Sequence, residues 1–365
     1  MAKKLFIAAT GQDTGKTTAS LSLLHLAKKK YRRVAFIKPL GPKVTEYKGV
    51  IVDKDAALMC QVFHMTGDLP YMSPVVIHPD STRKALDGKL DPQELENKIL
   101  HACEMLEKKS DFIIIEGSGH PGVGSVVNLS NARIAKLLRA QVLMITGGGI
   151  GNVIDNVHMN KALFDKEGVD VRAIMPNKLL PEKRDNTLNY LKKAFAGENF
   201  KVVGGFNYQP VLANPTLNRI ARILDLEIHG NKRDAKRIIH YLQIGAPSTQ
   251  RVTELLREDT LLIVTSSRDE LLVTLSNLYQ IPAYRSKIVG LLIPGIHKIS
   301  DITQQIVDRS NIPYLRTNSH TTGKLYRTIN EDVYKLQAED KEKIDMIKQL
   351  AEVRFDFDQL DDLFS

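Results

Sequence analysis

Residues 5–9, Leu-Phe-Ile-Ala-Ala, make a short apolar run, and Gly11-Gln12-Asp13-Thr14-Gly15-Lys16-Thr17-Thr18 follows one residue later. A buried strand, a glycine-bearing loop closing in Gly-Lys-Thr and a helical pattern from Thr17 leave the chain few ways to fold. The arrangement turns backbone N–H groups and a helix N-terminus toward an anion. In such a loop the lysine reaches the outer phosphates, and a hydroxyl, here Thr17, ligates Mg²⁺. The spacing is a variant, because the usual pattern needs glycine where Thr10 stands and the glycine sits at position 11. The segment therefore reads as a phosphate cradle for a nucleotide.

The rest of the chain supplies a sheet for that cradle. Strands are expected at 5–9, 34–38, 111–115, 142–146, 171–175 and 201–204, with helices at 17–30, 92–108, 131–138 and 151–164. Such alternation argues for a parallel sheet covered by helices on both faces. Ligands should then sit at the carboxyl ends of the strands. The pattern breaks at 206–214, where Asn-Tyr-Gln-Pro and Asn-Pro occur. A second α/β set follows, with helices at 216–224, 233–242, 269–278 and 301–308, another from about 321, and strands at 260–265, 287–293 and 312–316. Residues 338–365 read as a charged helix at 341–353 and a short acidic tail. The expected organisation is a P-loop NTPase-type α/β domain over 1–212, a smaller α/β domain over 213–335, and a C-terminal helix and tail over 336–365.

Composition narrows the function classes. No run of about 18 apolar residues is present, so no membrane-spanning helix and no membrane partner are expected. The apolar stretch after Lys4 is too short for a signal peptide, and Cys60 and Cys103 lack metal-ligand spacing, which suits a reducing cytoplasm. The net charge of +9 fits nucleotides or acidic metabolites as well as nucleic acid. However, the basic run 28–33 ends the helix after the loop, where cations complement the helix dipole. With no tryptophan and no nucleic-acid module visible, a polynucleotide partner is not expected.

Several polar residues fall at strand ends. Glu116 closes the apolar run 112–115 and suits the acidic partner of the loop, holding Mg²⁺ directly or through water. Lys38 ends another strand, a common place for a solvated lysine. Asp53 and Asp55 offer a second carboxylate, with an N-cap as the structural alternative. Gly147-Gly148-Gly149-Ile150-Gly151 misses the dinucleotide fingerprint because Asn152 takes the third glycine's place, yet closely spaced glycines suit a tight turn or a nearby ligand. Asn177-Lys178 could read a base edge. No aspartate follows at the position guanine recognition requires, so adenine is the base expected there.

Taken together, F-I-A-A-T-G-Q-D-T-G-K-T, V-A-F-I-K-P-L-G, D-K-D-A-A-L, I-I-I-E-G-S-G and G-G-G-I-G-N-V-I-D-N-V resemble the dethiobiotin synthetase group of P-loop proteins. The resemblance implies that Gly11, Gln12, Asp13, Thr14, Gly15, Lys16, Thr17 and Thr18 hold ATP. It also implies that Thr17, Asp55 and Glu116 hold Mg²⁺, that Lys16 and Lys38 are catalytic, with Lys38 facing the reacting group, and that Asn177 faces adenine. The implied chemistry is phosphorylation of a carboxylate or carbamate, followed by attack of an amine on the mixed anhydride. After Glu116 the chain departs from that enzyme, and residues 117–138 resemble the N-terminal part of long bacterial phosphotransacetylases. Gly117, Ser118, Gly119, His120, Asn128, Gly148 and Gly149 are the candidate substrate-loop residues.

The second half, L-L-I-V-T-S-S-R-D-E-L-L, K-I-V-G-L-L-I-P-G-I and N-I-P-Y-L-R-T-N, resembles a DRTGG domain. Arg268 and Gly295 fit that pattern, whereas Ser267, Pro294 and Ile296 depart from it. Long phosphotransacetylases carry a further catalytic domain and often a degraded phosphate loop. Here the sequence ends at Ser365 and keeps Lys16 and Thr17, so ATP binding without acetyl transfer is expected.

Three functions are compatible with this reading. One is an ATP-binding regulatory or sensor protein with possible ATPase activity, whose second domain mediates association or a small-metabolite response. The second is a carboxylate–amine ligase related to dethiobiotin or cobyrinate amidating enzymes, with His120, Asn128, Ser130 and Asn131 lining a pocket near Lys38. The third is a partitioning-type ATPase that dimerises over ATP, although no partner lysine precedes Gly15. A homo-oligomer is expected.

Overall fold

The computed structural model describes residues 2–332 and 336–364. It divides into two compact units, one of Met1–Tyr208 with Leu336–Ser365 and the other of Gln209–Lys335.

The first unit is α/β. Its six strands run parallel in the order Lys201–Val202, Val171–Asn177, Gln141–Gly147, Lys3–Ala9, Phe112–Glu116 and Val34–Ile37. Phe112–Glu116 and Val34–Ile37 are buried at every position, as expected of β-branched and aromatic runs in a sheet covered on both faces. The strand order reverses around Lys3–Ala9, so successive connections leave opposite sides of that strand and open a crevice at its carboxyl end. In register, Ile7 lies beside Glu116 and Gly147 beside Asn177, which levels four functional segments at one edge.

A small antiparallel hairpin, Val44–Tyr47 with Val50–Asp53, had no counterpart in the sequence reading. Lys48 and Gly49 both take positive φ (51° and 76°), the conformation of a two-residue turn that matches strand twist. The hairpin leads into the helix Lys54–Phe63 and thereby delivers Asp55 to the edge.

The charged C-terminal segment belongs to the first unit rather than standing apart. The helix Lys341–Arg354 buries Ile344, Ile347 and Ala351 and packs along the helix Lys16–Lys30, burying its second side as well. The acidic tail is itself a helix, Phe357–Leu363. Acids of both C-terminal helices meet the basic last turn of the loop helix: Lys29 pairs with Glu352 (2.5 Å), and Lys30 with Asp358 (2.6 Å) and Asp361 (2.9 Å). Phe355 meets Phe206 at 4.8 Å between ring centroids, and Phe357 meets Phe112 at 6.1 Å.

The second unit carries a five-stranded sheet in the order Ile228–His229, Tyr314–Thr317, Ile288–Pro294, Thr260–Ile263 and Tyr241–Ile244, parallel except for Ile228–His229. Leu262, Leu291 and Ile293 face one core, whereas Leu261, Ile263 and Leu292 face the other. The helix expected at 233–242 is absent. A short 3-10 turn, Asp234–Lys236, is followed by the edge strand Tyr241–Ile244. Pairing of Tyr241–Ile244 with Thr260–Ile263 outweighs an apolar spacing that would also suit a helix. Arg237 is drawn instead to the carbonyls of Arg285 and Ile288 and to Asp259.

Candidate functional site

The loop after Lys3–Ala9 ends at Gly15, which takes φ 96° as the cap of the helix Lys16–Lys30. A β-carbon there would fall 2.3 Å from Asn177 Nδ2, so both backbone and space require glycine. Asp13 adopts left-handed φ 55°, and Gln12 and Asp13 are exposed. Thr14 Oγ1 donates to the Gly11 carbonyl at 3.4 Å. Lys16 Nζ lies back across the loop, donating to the carbonyls of Gly119 (2.9 Å) and Gly11 (3.3 Å). Burial lowers its pKa to about 8, with the cations Lys38 and Lys43 adding to the effect against Glu116 and Asp55.

Beside this loop lies a buried ionic cluster. Lys38 Nζ bridges Asp55 Oδ2 at 2.6 Å and Glu116 Oε1 at 2.8 Å. Thr17 Oγ1 donates to Asp55 Oδ1 at 3.3 Å. Side-chain exposure is 4% for Lys38, 0% for Glu116 and 17% for Asp55, so the cluster meets solvent at Asp55, beside the half-buried Thr17. Burial opposes ionisation at Asp55, but the Lys38 ammonium outweighs it and holds the carboxyl at about 2. Burial pushes Glu116 upward, against Lys38 and with Asp55 adding to the rise. Burial also works against the Lys38 charge, yet the Asp55 and Glu116 carboxylates keep its pKa above the ordinary lysine value.

The donor set fits a hard divalent cation. Glu116 Oε2 is buried and without a hydrogen-bond partner, and so is Ser20 Oγ. The Ser20 hydroxyl nonetheless lies close enough to favour the ionised carboxyl. Two carboxylates and the Thr17 hydroxyl suffice for Mg²⁺, which keeps waters and takes its other ligands from phosphates. Among the described residues no group of three or more His, Cys, Asp or Glu converges on one point.

Other expected site residues have structural work. Asp53 caps the helix Lys54–Phe63, accepting from the N–H groups of Asp55 and Lys43, both at 2.9 Å. Asn177 is 3% exposed and spends its amide on the backbone, donating to Thr14 O and accepting from Phe206 N, both at 2.9 Å. The side chain thereby ties the phosphate loop to the 206 segment. Ser118 is buried and donates to the Leu40 carbonyl. Ser130 caps the helix Asn131–Leu137.

Asn131, 1% exposed, accepts from Ser118 N (3.0 Å) and donates to the carbonyls of Ser118 (2.6 Å) and His120 (2.7 Å), fixing the 117–120 turn. Gly117 has no room for a β-carbon, which would meet Asn131 Oδ1 and Phe6 at 2.9 Å. Gly119 (φ 59°) presents its carbonyl to Lys16. His120 and Asn128 are exposed. Gly148 takes φ 110° and Gly149 begins the helix Ile150–Glu167, with no side chain capping its first turn. Sequence reasoning missed the loop-organising role of Asn131 and had no signal for Ser20, which sits in an ordinary helical run.

Strand, loop, helix and the acids at the neighbouring strand end define a P-loop NTPase-like domain. The chain belongs to the AAA domain family, which matches residues 3–216, and residues 219–331 match the DRTGG domain family. It is 24% identical over 370 residues to a phosphate acetyltransferase of Nitratidesulfovibrio vulgaris, covering 99% of this chain and 51% of that protein. It is also 24% identical over 262 residues to the ATP-dependent dethiobiotin synthetase BioD of Clostridium kluyveri, covering 67% of this chain and 99% of the relative. The chain thus corresponds to the N-terminal region of the phosphate acetyltransferases and spans about half their length. Among solved structures, the MinC:MinD cell division protein complex of Aquifex aeolicus aligns over 58% of this chain and 84% of that one, with 13% identity and a TM-score of 0.36. No helix among the described residues is long and apolar enough to cross a membrane.

Proposed function

We propose that the first unit binds ATP with Mg²⁺ and that the protein acts as an ATP-responsive regulator, with the DRTGG unit carrying association or a metabolite response. The observation that carries this reading is the convergence of Lys16, Thr17, Lys38, Asp55 and Glu116 at one sheet edge beside a glycine-shaped loop. In it, the N–H groups at the start of the helix Lys16–Lys30 receive the phosphates, and Lys16 gives up its carbonyl contacts to reach the outer ones. Thr17, Asp55 and Glu116 hold the metal, which when bound neutralises charge on the phosphate oxygens. Asn177 and Asn131 keep the two loops in place and touch no phosphate.

Two of the four residues that the ligase reading assigned to a substrate pocket are spent within the protein, Asn131 on its turn and Ser130 on its helix cap. That favours nucleotide binding and regulation over ligation. Titration calorimetry of ATP–Mg²⁺ against the full chain tests the reading. Wild type is expected to bind, and Lys16→Ala to bind at least about tenfold more weakly, a loss of about 1.4 kcal/mol or more. Equal affinities would remove the premise. ADP release that rises sharply with one small acid or amine would restore the ligase alternative.

A further inference from the structure

The buried ammonium of Lys38 lies between the two carboxylates that the proposed metal needs. It spans Asp55 Oδ2 and Glu116 Oε1, while Asp55 Oδ1 receives the Thr17 hydroxyl. Three of the four carboxylate oxygens are therefore engaged within the chain. The fourth, Glu116 Oε2, is sealed from water and receives no full hydrogen bond, with the Ser20 hydroxyl close enough to favour the charge. A closed ion pair normally satisfies its remaining lone pairs, because an unpartnered buried charge is costly. One ammonium faces two carboxylates, so Lys38 leaves the cluster short of positive charge, and Glu116 Oε2 stays without a bond from Lys38.

We propose that Lys38 is an internal stand-in for the divalent cation, occupying the metal seat at rest and leaving it when metal and nucleotide arrive. The inference rests on the nucleotide reading of this site and adds a competition to it. A cation bound by both Asp55 and Glu116 takes the oxygens that Lys38 now holds, since a carboxylate oxygen engaged by a metal makes a poor partner for an ammonium beside it. Lys38 then turns toward the more open side of the cluster, where Asp55 meets Thr17 and the loop. The same exchange completes the bonding of Glu116 and brings a second ammonium, besides Lys16, to the phosphate edge. Until then, Lys38 protects two acids in a nearly dry pocket from mutual repulsion and keeps the empty seat from taking up metal alone. Metal loading and delivery of the Lys38 ammonium thus become one event.

The test reads Mn²⁺ binding to the full chain without nucleotide, by electron paramagnetic resonance of the free ion near neutral pH. Lys38→Met is expected to bind Mn²⁺ about tenfold more tightly than wild type, because the competing cation is gone. The double variant Lys38→Met with Glu116→Gln should lose that gain. A gain of roughly threefold or more that disappears in the double variant supports the inference. A smaller gain, a loss of affinity, or a gain that survives Glu116→Gln overturns it. If circular dichroism shows Lys38→Met unfolded, the wild-type side chain is read instead by ¹⁵N-lysine NMR with Mg²⁺ and a non-hydrolysable ATP analogue. A Lys38 ammonium signal unmoved at saturation then overturns the inference. Wild type that binds no ATP would sink the nucleotide reading and leave the Mn²⁺ comparison standing. Equal Mn²⁺ affinities would do the reverse.

Discussion

Asp361→Asn tests how the C-terminal segment is held to the loop helix. Asp361 is 4% exposed and accepts from Lys3 Nζ at 2.6 Å and Tyr31 Oη at 2.7 Å, with Lys30 Nζ 2.9 Å away. Breaking a fully buried ion pair costs about 3–5 kcal/mol, because one charge is stranded. Exposed pairs are worth about 0–1 kcal/mol. Lys3 and Lys30 keep 21% and 36% of their exposure, so water partly compensates them and the cost falls between these limits. The expected loss is about 2 kcal/mol, or about 4–8 °C in the melting of a unit of this size.

The pH dependence has a definite sign. Burial would raise the Asp361 carboxyl, but bonds from Lys3, Tyr31 and Lys30 outweigh it and hold the group below its ordinary value. Its stabilisation is therefore complete above the unfolded pKa of about 4 and fades as pH falls through the lower folded value. Calorimetric melts of wild type and Asp361→Asn should differ at neutral pH and converge in acid. Hydrogen exchange on Phe357–Leu363 and the end of Lys16–Lys30 assigns the loss to this contact. Equal melting at neutral pH, or a difference undiminished in acid, would refute the reasoning.

Other substitutions probe the site. Gly15→Ala forces a β-carbon into left-handed backbone against the buried Asn177 amide; it should cost about 1–2 kcal/mol in denaturant melts and weaken ATP in calorimetry, and unaltered behaviour in both would contradict the loop geometry. Asn131→Ala strands the buried Ser118 N–H, and a loss of about 1–3 kcal/mol is expected, with faster hydrogen exchange confined to 117–120. Lys16, lowered to about 8 by burial, must be charged to meet phosphate. ATP affinity should therefore be steady below that pH and fall by up to about tenfold per unit above it, with proton uptake on binding in calorimetry across buffers; a flat profile into alkali would contradict this.

Much of the site was legible because its signals are local. A strand, a glycine turn and Gly-Lys-Thr lie within residues 5–17, and Glu116 ends a run too apolar to be anything but buried strand. Asn177 was placed at its strand end, but its bonds to Thr14 and Phe206, far away in sequence, leave no mark in local spacing. Residues 233–242 misled for a related reason. Their apolar spacing suits a helix, and only pairing with Thr260–Ile263 decides for strand. The C-terminal acids read only as a short acidic tail because their partners, Lys3 and Lys30, lie more than three hundred residues earlier. Nor could spacing reveal that Lys38 bridges Asp55 and Glu116, although each residue was recognised singly.

The most direct measurement is a crystal structure of the full chain with a non-hydrolysable ATP analogue and Mg²⁺. The account requires phosphates on the N–H groups of residues 15–18, Lys16 Nζ turned from Gly119 onto phosphate oxygen, and a metal bounded by Thr17, Asp55 and Glu116. Nucleotide bound elsewhere, or a loop still closed by Lys16 on Gly119 at saturating ligand, would contradict it.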